Sequence, residues 1–430
     1  MKRISRGLGC LGVLSVVLFA CSDAGVTTTN DGGGGGDGGG GGGWSAIPLP
    51  AGQKPNNVLG VYCSSASKCV IGTGSITGDP GGIFAVVNGA VGEELLDGSS
   101  QPLLDAAKVI TSGLDVIGFA PIGDRVMARL NASGAYVTAS GDVTQKASWS
   151  FVSMGKADGE SLPLNAQGAL QRDASGQSWI FVNHIGFVYG SSAAPSASTA
   201  WTKKWSPQAN PSIPADFETQ LANDPSLCDS DVTTGGLPWT GNPAWIAPDL
   251  SVIVHPAGGL NQNGSAKPGV CISTDKGAHF YSVAFAGLPN TESPGPKGVM
   301  CLDKDHCFAF NGLPFQKGTA YIWSTSNASA GKASVWKPTT VPASWAGQDQ
   351  VELQTMFFAP DGTHGWVVGN NARKPMVART TDGGQSWTDV SGSVAGLADS
   401  DLYTGFALDA DHVWIGGRFG ALLATSTAQQ

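Results

Sequence analysis

Residues 380–387 form the motif that most limits what this chain can fold into, and they read Thr-Thr-Asp-Gly-Gly-Gln-Ser-Trp. The carboxylate of Asp382 can accept hydrogen bonds from backbone N–H groups of its own turn, and Gly383 and Gly384 permit positive φ angles. Trp387 opens the next segment with a large apolar ring that is stable when buried. The motif therefore predicts a tight turn that holds two antiparallel strands together.

The same order of apolar strand, polar turn and second apolar strand recurs seven times along the chain. Repetition over several tens of residues is typical of propellers and solenoids, and the turns are rich in residues that reverse the chain. The repeats predict an all-β fold, a seven-bladed β-propeller. The predicted hairpins are 58–63 with 69–72, 116–120 with 125–130, 169–171 with 178–182, 245–247 with 252–254, 299–301 with 307–310, 356–359 with 366–368, and 404–408 with 413–416.

The motif at 380–387 resembles the Asp box, Ser/Thr-x-Asp-x-Gly-x-Ser/Thr-Trp, of the BNR-repeat β-propellers. These propellers include sialidases and photosystem II assembly-factor-like proteins, so the resemblance implies a fold and not one activity. Residues 273–280 resemble a second Asp box, with Phe280 in place of Trp and His279 in place of the hydroxyl residue. The resemblance implies a structural role, on the face opposite the usual ligand site, for Asp275, Gly277, Asp382, Gly384 and Trp387.

Aromatic residues begin the predicted fourth strand of most repeats: Trp149, Trp205, Phe280, Trp336 and Trp387. The last repeat ends before any aromatic residue, whereas Trp44 opens a segment of the same kind at the start of the domain. We expect this N-terminal strand to complete the last blade and close the ring, because closure removes an exposed sheet edge. A six-bladed or irregular propeller with an isolated N-terminal strand is the open alternative.

Residues 1–20 have the form of a secretory signal peptide, with basic residues first and an apolar run after them. The segment Leu-Phe-Ala-Cys that ends at Cys21 resembles a bacterial lipobox, which implies cleavage before Cys21 and lipidation of that cysteine. Ser22 is similar to the residue found there in lipoproteins sent to the outer membrane. We expect a lipid-anchored protein of the bacterial cell envelope, at the outer membrane. The open alternative is an ordinary signal peptide followed by a chance cysteine.

A glycine-rich stretch follows the signal. Residues 21–43 carry the lipidated cysteine and a run of Gly interrupted by Asp37, which cannot bury a core and predicts a flexible linker. The β-propeller is predicted at 44–430. It contains one long interval, at about 206–244, and we interpret this interval as an insertion folded over one face, because long connections inside compact domains are usually functional or disordered.

Six cysteines remain once Cys10 leaves with the signal and Cys21 takes the lipid. An even number in an oxidising compartment indicates disulfides. Two pairs flank short polar turns where antiparallel strands face each other, and a third pair follows by elimination. A metal site is the rival interpretation, but neither pair has the ligand spacing of a zinc site, and we predict no metal and no cofactor. The predicted disulfides are Cys63–Cys69, Cys301–Cys307 and Cys228–Cys271.

Composition and charge limit the class of partner. The chain has 41% hydrophobic residues, 13% charged residues and 62 Gly, which suits an extracytoplasmic all-β domain with many turns. Its formal net charge of -9 argues against nucleic acid or anionic lipid as the main partner. We expect a monomer that binds a protein or glycan and that contacts the membrane through its lipid anchor alone.

Polar residues recur just at or after the second strand of the repeats, where the resemblance implies ligand-facing loops. If these positions are equivalent, the side chains form a ring around one mouth of the propeller. Strand ends also favour Asn and His for turn formation alone, and this alternative stays open. The predicted ligand-binding residues are Asn131, His184, His255, Asn311, Asn370, Arg373 and Arg418.

Three functions stay open at this stage. The preferred one is a non-catalytic surface propeller that binds a protein or glycan partner through the loops between second and third strands. The second is a glycoside hydrolase of sialidase-like architecture, which needs a pair of carboxylates at a suitable separation. The third is a periplasmic scaffold that resembles an assembly factor. The sequence has no nucleophile elbow, zinc-protease motif or phosphate-binding loop, so we predict no catalytic residues.

Overall fold

The structure is a computed structural model that describes residues 43–50, 56–74, 81–97, 115–122, 125–130, 135–153, 156–157, 160–161, 170–172, 177–182, 186–191, 201–205, 244–257, 269–286, 296–311, 320–346, 348, 351–394 and 400–425. The predicted signal segment and linker lie outside these ranges except for Gly43, and the predicted insertion lies outside them except for Ala244. The signal segment, the linker and the insertion all stay predictions.

Most of the described residues are in strands. Their helical segments are short 3₁₀ turns at Lys146–Ser148, Ala328–Ala333, Ala343–Trp345, Ser391–Val394 and Arg418–Gly420. No helix in this part of the chain is long and apolar enough to cross a membrane. The described strands form seven sheets, which we number in chain order, and neighbouring strands are antiparallel except for one pair in sheet 3.

Sheets 1 and 2 are four-stranded meanders, in which each strand pairs with the next one along the chain. Sheet 1 contains β2 (Asn57–Ser65), β3 (Lys68–Gly74), β4 (Gly82–Val87) and β5 (Ala90–Asp97). Sheet 2 contains β6 (Val116–Ile122), β7 (Arg125–Leu130), β8 (Ala135–Ser140) and β9 (Trp149–Ser153).

Sheet 3 departs from this pattern because it has six strands. Its meander is β12 (Leu170–Arg172), β13 (Gln177–Val182), β14 (Gly186–Ser191) and β15 (Trp201–Trp205). A small hairpin, β10 (Lys156–Ala157) and β11 (Glu160–Ser161), extends the sheet beyond β15 through a parallel pairing. The sequence did not predict this hairpin. The prediction that Trp205 begins the fourth strand was wrong, because β15 begins at Trp201 and ends at Trp205.

Sheets 4 to 7 return to four strands each. Sheet 4 contains β16 (Trp245–Ile246), β17 (Ile253–Ala257), β18 (Gly269–Ser273) and β19 (Tyr281–Ala284). Sheet 5 contains β20 (Pro296–Cys301), β21 (Cys307–Asn311), β22 (Ile322–Thr325) and β23 (Lys337–Pro338). Sheet 6 contains β24 (Val351–Phe358), β25 (Gly365–Asn371), β26 (Lys374–Thr380) and β27 (Thr388–Asp389). Sheet 7 contains β28 (Leu402–Ala407), β29 (Val413–Gly417), β30 (Leu422–Thr425) and the N-terminal strand β1 (Trp44–Ala46).

The pairings confirm all seven predicted hairpins. The N-terminal strand pairs with the C-terminal one, with Trp44 opposite Thr425 and Ala46 opposite Leu423. Neighbouring first strands lie side by side, since β2 contacts both β6 and β28, and β24 contacts both β20 and β28. These sheets and this pairing are what a ring of seven blades closed by its N-terminal strand requires.

The connections of each meander alternate between two ends, because successive strands are antiparallel. The turns that join first to second and third to fourth strands share one end, which we name the turn end. The connections that join second to third strands, and those that join one sheet to the next, share the other end, which we name the loop end. The two ends differ in chemistry.

Apolar side chains fill the spaces between neighbouring sheets. One cluster joins sheets 1 and 2 through Val70 and Val126, and another joins sheets 6 and 7 through Trp366 and Val413. Further clusters join sheets 4 and 5, sheets 5 and 6, and sheets 7 and 1. Full burial of a large aliphatic or aromatic side chain contributes roughly 1.5–3 kcal/mol, so these clusters supply the main stabilisation.

The motif at 380–387 forms the predicted turn, and we keep the name Asp box for it and for 273–280 because of their resemblance to that motif. Asp382 accepts hydrogen bonds from the Ser386 backbone N–H at 3.0 Å and from the Ser386 hydroxyl at 2.6 Å. The Thr380 hydroxyl donates to Asp382 at 2.7 Å and accepts from the Gly384 N–H at 2.9 Å. Gly384 has φ +83°, and a Cβ there would lie 2.5 Å from the ring of Phe308 in sheet 5. The turn is thus fixed internally and packed against the preceding sheet.

The Asp box at 273–280 has the same geometry with His279 in place of the hydroxyl residue. Asp275 accepts from the His279 backbone N–H at 2.9 Å, and its other oxygen lies 2.6 Å from the His279 Nδ1. Gly277 has φ +80°. The aromatic residues that follow the two motifs, Phe280 and Trp387, are both buried. A third turn, between β22 and β23, uses the Asn327 amide oxygen to accept from the Val335 N–H at 3.0 Å.

Three first-to-second-strand turns share a pattern that the sequence analysis missed, an Asp followed three residues later by a His. In sheet 6, Asp361 accepts from the His364 backbone N–H at 3.0 Å and lies 2.6 Å from its Nδ1. Asp303 with His306 and Asp409 with His412 repeat this arrangement in sheets 5 and 7. All of these pairs are at the turn end.

Two predicted disulfides are confirmed. Cys63 is bonded to Cys69 and Cys301 to Cys307, and in each case the two residues are directly opposite across a first-to-second-strand hairpin. Cys271 is also disulfide-bonded. Its predicted partner, Cys228, lies outside the described residues, so that pairing stays a prediction.

We predict that Asp382→Ala lowers the free energy of unfolding by about 1–2 kcal/mol, because the Ser386 N–H and two hydroxyls lose their acceptor. Urea unfolding followed by tryptophan fluorescence measures the change. Glu93→Ala, which removes an exposed carboxylate from β5, is the matched control and should be nearly neutral. If Asp382→Ala were as stable as wild type, the Asp box would not be holding its two strands together as predicted.

Stability should also fall in acid as the turn carboxylates gain protons. Hydrogen bonds from the Ser386 side chain and backbone lower the pKa of Asp382 from 3.8 to about 2, and the His364 backbone N–H does the same for Asp361. A lowered folded-state pKa stabilises the protein above the unfolded pKa, and this contribution is lost as the pH falls through the folded pKa. The free energy of unfolding should therefore drop between about pH 4 and pH 2. In Asp382→Asn the drop over that interval should be smaller, and an unchanged profile would contradict the assignment.

Candidate functional site

The structure describes five of the seven predicted ligand-binding residues. Asn131 and His184 lie outside the described residues. Three of the five are buried within their sheets: His255, Asn311 and Asn370. Arg373 is exposed and Arg418 is partly buried, both at the loop end. The side chains therefore do not form a uniform exposed ring among the described residues, and ligand contact by each of them stays a prediction.

Asn311 and His255 have structural surroundings. The Asn311 side chain is fully buried, and its amide oxygen accepts from the Tyr321 N–H at 2.7 Å. This bond fixes the start of the connection between second and third strands in sheet 5. Burial lowers the pKa of His255 from 6.5 to about 3, so its ring is neutral at physiological pH. Neither side chain is presented to solvent for a ligand.

A charged cluster lies at the loop end where the first strands of sheets 5 and 6 meet. The Lys297 ammonium, on β20, is 2.8 Å from a Glu352 carboxylate oxygen on β24, and it also donates to the side-chain oxygen of Gln354. The Lys297 and Glu352 side chains are only 8% and 14% exposed. Burial lowers the pKa of Lys297, while the Glu352 carboxylate acts in the opposite direction. The ion pair thus joins two sheets across their interface.

The cluster continues into sheet 7. Asp401 accepts a bond from the Tyr403 hydroxyl at 3.3 Å and pairs with the Arg418 guanidinium at 3.3 Å. The Arg418 backbone N–H also donates to the Asp401 carbonyl at 2.7 Å. Burial raises the pKa of the Tyr403 hydroxyl above its ordinary value, and the Asp401 charge raises it further. We name Lys297, Glu352, Gln354, Asp401, Tyr403 and Arg418 the loop-end cluster.

The loop-end cluster can stabilise the packing of its strands or position a ligand. Its two cations and two carboxylates balance, and each carboxylate has a cationic partner. A glycosidase needs two carboxyl groups free to act on either side of the scissile bond, whereas Glu352 and Asp401 are each engaged with a cation of this chain. A raised pKa also disfavours the tyrosinate form of Tyr403, which a nucleophilic role needs. The geometry therefore gives no support for a two-carboxylate or tyrosine mechanism at this cluster.

An exposed aromatic ring lies next to the loop-end cluster. Phe419 is 51% exposed and lies in the left-handed region, with φ 55° and ψ 33°. The Arg418 guanidinium lies 4.7 Å from the centre of the Phe419 ring. The Phe419 backbone N–H donates to the Asn57 side-chain oxygen at 3.3 Å. A left-handed non-glycine residue costs roughly 1–2 kcal/mol, so neighbouring contacts hold this ring in place against a local penalty.

The neighbouring loop of sheet 6 is strained in the same way. Ala372 and Arg373, between β25 and β26, have φ 49° and φ 72°. A two-residue turn of this kind usually takes Asn and Gly, which tolerate positive φ. Arg373 and the following Lys374 are both exposed. Strained non-glycine residues cluster at functional sites, although three residues in turns of the turn end also have positive φ: Asn88, Leu250 and Lys276. Two strained loops on adjacent sheets, together with the loop-end cluster beside them, make the loop end of sheets 6 and 7 the candidate site.

Sequence reasoning missed most of the loop-end cluster because it aligned the repeats on second strands. Lys297, Glu352 and Tyr403 each occupy the second position of a first strand. When the repeats are aligned on their first strands, three consecutive repeats have a polar residue at the second position, directly after an apolar one. The sequence therefore contained this signal. Within the described residues, no group of three or more His, Cys, Asp or Glu side chains is placed to hold a metal ion.

Comparison with known proteins identifies the fold. No protein-family profile matches the sequence, and no curated protein matches it. YCF48 from Cyanidioschyzon merolae is similar with a TM-score of 0.54 and 11% identity, over 89% of this chain and 98% of that one. The β-propeller domain of Cps50 (Swd1) from Myceliophteria thermophila is similar with a TM-score of 0.51 and 8% identity, over 89% of this chain and 98% of that domain.

A GH74 xyloglucanase from Xanthomonas campestris is similar with a TM-score of 0.52 and 13% identity, over 89% of this chain. The match covers 53% of the xyloglucanase, so this chain spans about half its length. At such low identities these likenesses bear on the fold alone. Together with the sheets they confirm the predicted fold class, an all-β propeller. The blade number and the closure of the ring stay predictions, which the seven described sheets and the β1–β30 pairing support.

The ion pair between sheets 5 and 6 gives a stability prediction. Lys297→Met should lower the free energy of unfolding by about 3 kcal/mol, because it leaves the Glu352 carboxylate buried without a partner. The double variant Lys297→Met/Glu352→Leu should recover most of that loss, since an apolar pair needs no compensating charge. Guanidinium unfolding of both variants measures the difference. If Lys297→Met were as stable as wild type, the Lys297 ammonium would not be compensating for burial of the Glu352 carboxylate, and the prediction would be wrong.

Proposed function

We propose that this protein is a surface-tethered, non-catalytic β-propeller that binds a protein or glycan partner through its loop end. The observation that carries the proposal is Phe419, a large apolar ring held exposed in a strained conformation. Aromatic and arginine side chains dominate binding energy at protein interfaces. Phe419, Arg418 and Arg373 bring both kinds together on adjacent loops.

The charged groups beneath this surface support binding rather than hydrolysis. Asp401 and Glu352 are each neutralised by a cation, so among the described residues of the site the exposed charge comes from Arg373 and Lys374. These two cations stand out on a chain of net charge -9. A partner that presents an apolar group beside an acidic one fits this surface, because the ring takes the first and the cations take the second.

The tether is part of the proposal and rests on the sequence. The lipobox-like segment that ends at Cys21 and the glycine-rich run after it would attach the propeller to the bacterial outer membrane by lipid alone. A glycine-rich chain of this length spans only some tens of Å, at roughly 5–6 Å times the square root of its residue number. The protein would therefore act as a monomer on partners close to the membrane surface.

The test uses the full chain purified in mild detergent. The protein is applied to a glycan array and to an array of surface peptides, and retained protein and ligand mass are both read. We expect retention without loss of ligand mass. Phe419→Ala should weaken retention at least about tenfold, because truncation of a central aromatic residue typically costs 2 kcal/mol or more.

Two control variants match the tested positions. Val87→Ala removes an exposed apolar side chain at the turn end, and Arg125→Gln removes an exposed arginine there. Both should bind as wild type does, whereas Arg373→Gln should bind more weakly. Loss of ligand mass would contradict the non-catalytic assignment and favour a glycoside hydrolase. If Phe419→Ala bound as strongly as wild type, the binding surface would lie elsewhere than at the loop end.

A further inference from the structure

A second concave site lies at the turn end, between sheets 5 and 6. This cleft has a volume of about 520 Å³, within the range of about 300–1,000 Å³ that is usual for small-ligand sites. One wall is the end of β22 and the residues after it, and the facing wall is the backbone of Gly383 and Gly384 in the Asp box. Phe308 and Val335 supply apolar surface. We name this space the turn-end cleft.

The Asp box shapes the turn-end cleft. Gly384 packs directly on the Phe308 ring, where a Cβ would lie 2.5 Å from a ring carbon, so this part of the wall is bare backbone. On the other wall, the Asn327 amide oxygen accepts from the Thr325 hydroxyl at 2.8 Å and from the Val335 N–H at 3.0 Å. Both walls are fixed by hydrogen bonds of their own turns, so the cleft exists before any ligand binds.

The charge of the lining is unusual for this chain. Two of the lining residues, Lys337 and His306, are basic, and none is Asp or Glu, although the chain as a whole has a net charge of -9. The His306 Nδ1 lies 2.8 Å from the Asp303 carboxylate, which leaves Nε2 as the ring's remaining polar atom. Lys337 is exposed, and among the described residues no ion pair is formed by it. Because the Asp303 carboxylate offsets His306, Lys337 alone makes the cleft complementary to a negative group.

The remaining lining side chains are hydrogen-bonding groups without charge. Ser324, Ser326 and Gln385 supply two hydroxyls and an amide. Val335, which is 50% exposed, adds an apolar patch beside them. Several neutral donors and acceptors, one apolar patch and one ammonium group together match a small polyhydroxylated molecule with a carboxylate. Hydroxyls of such a molecule pair with the serines and the amide, and its carboxylate pairs with Lys337.

We propose that the turn-end cleft is a second binding site, independent of the loop end, and that it takes an acidic sugar unit such as a uronate. A peptide fits less well. The outer edge of β22 is already occupied there, because Trp323 pairs with Pro338 and Ser324 with Lys337. An extended peptide therefore cannot pair with β22 at this point. A sugar ring needs no strand edge, because side chains alone can form hydrogen bonds with its hydroxyl groups.

The test measures binding of sodium D-glucuronate to the full chain in mild detergent, by saturation-transfer NMR and isothermal titration. Neutral D-glucose and N-acetyl-L-alanine are the comparison ligands, because one lacks the carboxylate and the other lacks the hydroxyls. We expect glucuronate to bind, glucose to bind at least about tenfold more weakly, and Lys337→Gln to weaken glucuronate at least about tenfold, as loss of a charged hydrogen bond does.

Matched variants locate the site. Lys304→Gln makes the same charge change at an exposed lysine of sheet 5 that does not line the cleft, and it should leave glucuronate binding unchanged. Phe419→Ala should also leave it unchanged, which separates this site from the one at the loop end. Absence of glucuronate binding, or equal binding by wild type and Lys337→Gln, would overturn the proposal. Preference for N-acetyl-L-alanine would overturn the sugar assignment in favour of peptide termini.

Discussion

Packing of apolar side chains between neighbouring sheets is the interaction on which the rest of this structure depends. A four-stranded sheet of this size cannot bury both of its faces alone. Each core cluster in the described residues accordingly joins two consecutive sheets, as Val70 and Val126 do in sheets 1 and 2. Close approach of the first strands is part of the same constraint, since a Cβ on Gly405 would lie 2.0 Å from the Phe357 ring of sheet 6.

This constraint divides the molecule into two ends with different chemistry. Several turn-end connections are held by hydrogen bonds of their own, because an Asp carboxylate such as that of Asp382 or Asp361 accepts backbone N–H groups of its own turn. Loop-end connections carry the strained residues Arg373 and Phe419 and the charged cluster beneath them. Local strain is stable there because the sheets below are fixed by their packing, which leaves the loop end free for recognition.

Buried charge at the loop end joins sheets 5 and 6 and links side chains within sheet 7. Lys297 reaches across one sheet boundary to Glu352, and Asp401 binds both Tyr403 and Arg418 within sheet 7. Displacement of sheet 5 from sheet 6 would leave Lys297 or Glu352 buried without a partner, which costs more than the pair contributes when it is intact. The same arrangement neutralises these carboxylates, so among the described residues Arg373 and Lys374 supply the exposed charge of the nearby surface.

The sequence by itself determined the features that depend on contacts between near neighbours in the chain. The Asp boxes, the seven hairpins and the disulfides Cys63–Cys69 and Cys301–Cys307 are of this kind, since each joins residues across one turn. Tertiary structure alone decided that Lys297 meets Glu352, 55 residues away, and that Asn311 is buried while Arg373 is exposed. Equivalent positions in a repeat share a backbone conformation, but their exposure and partners depend on how neighbouring sheets pack, which no local pattern encodes.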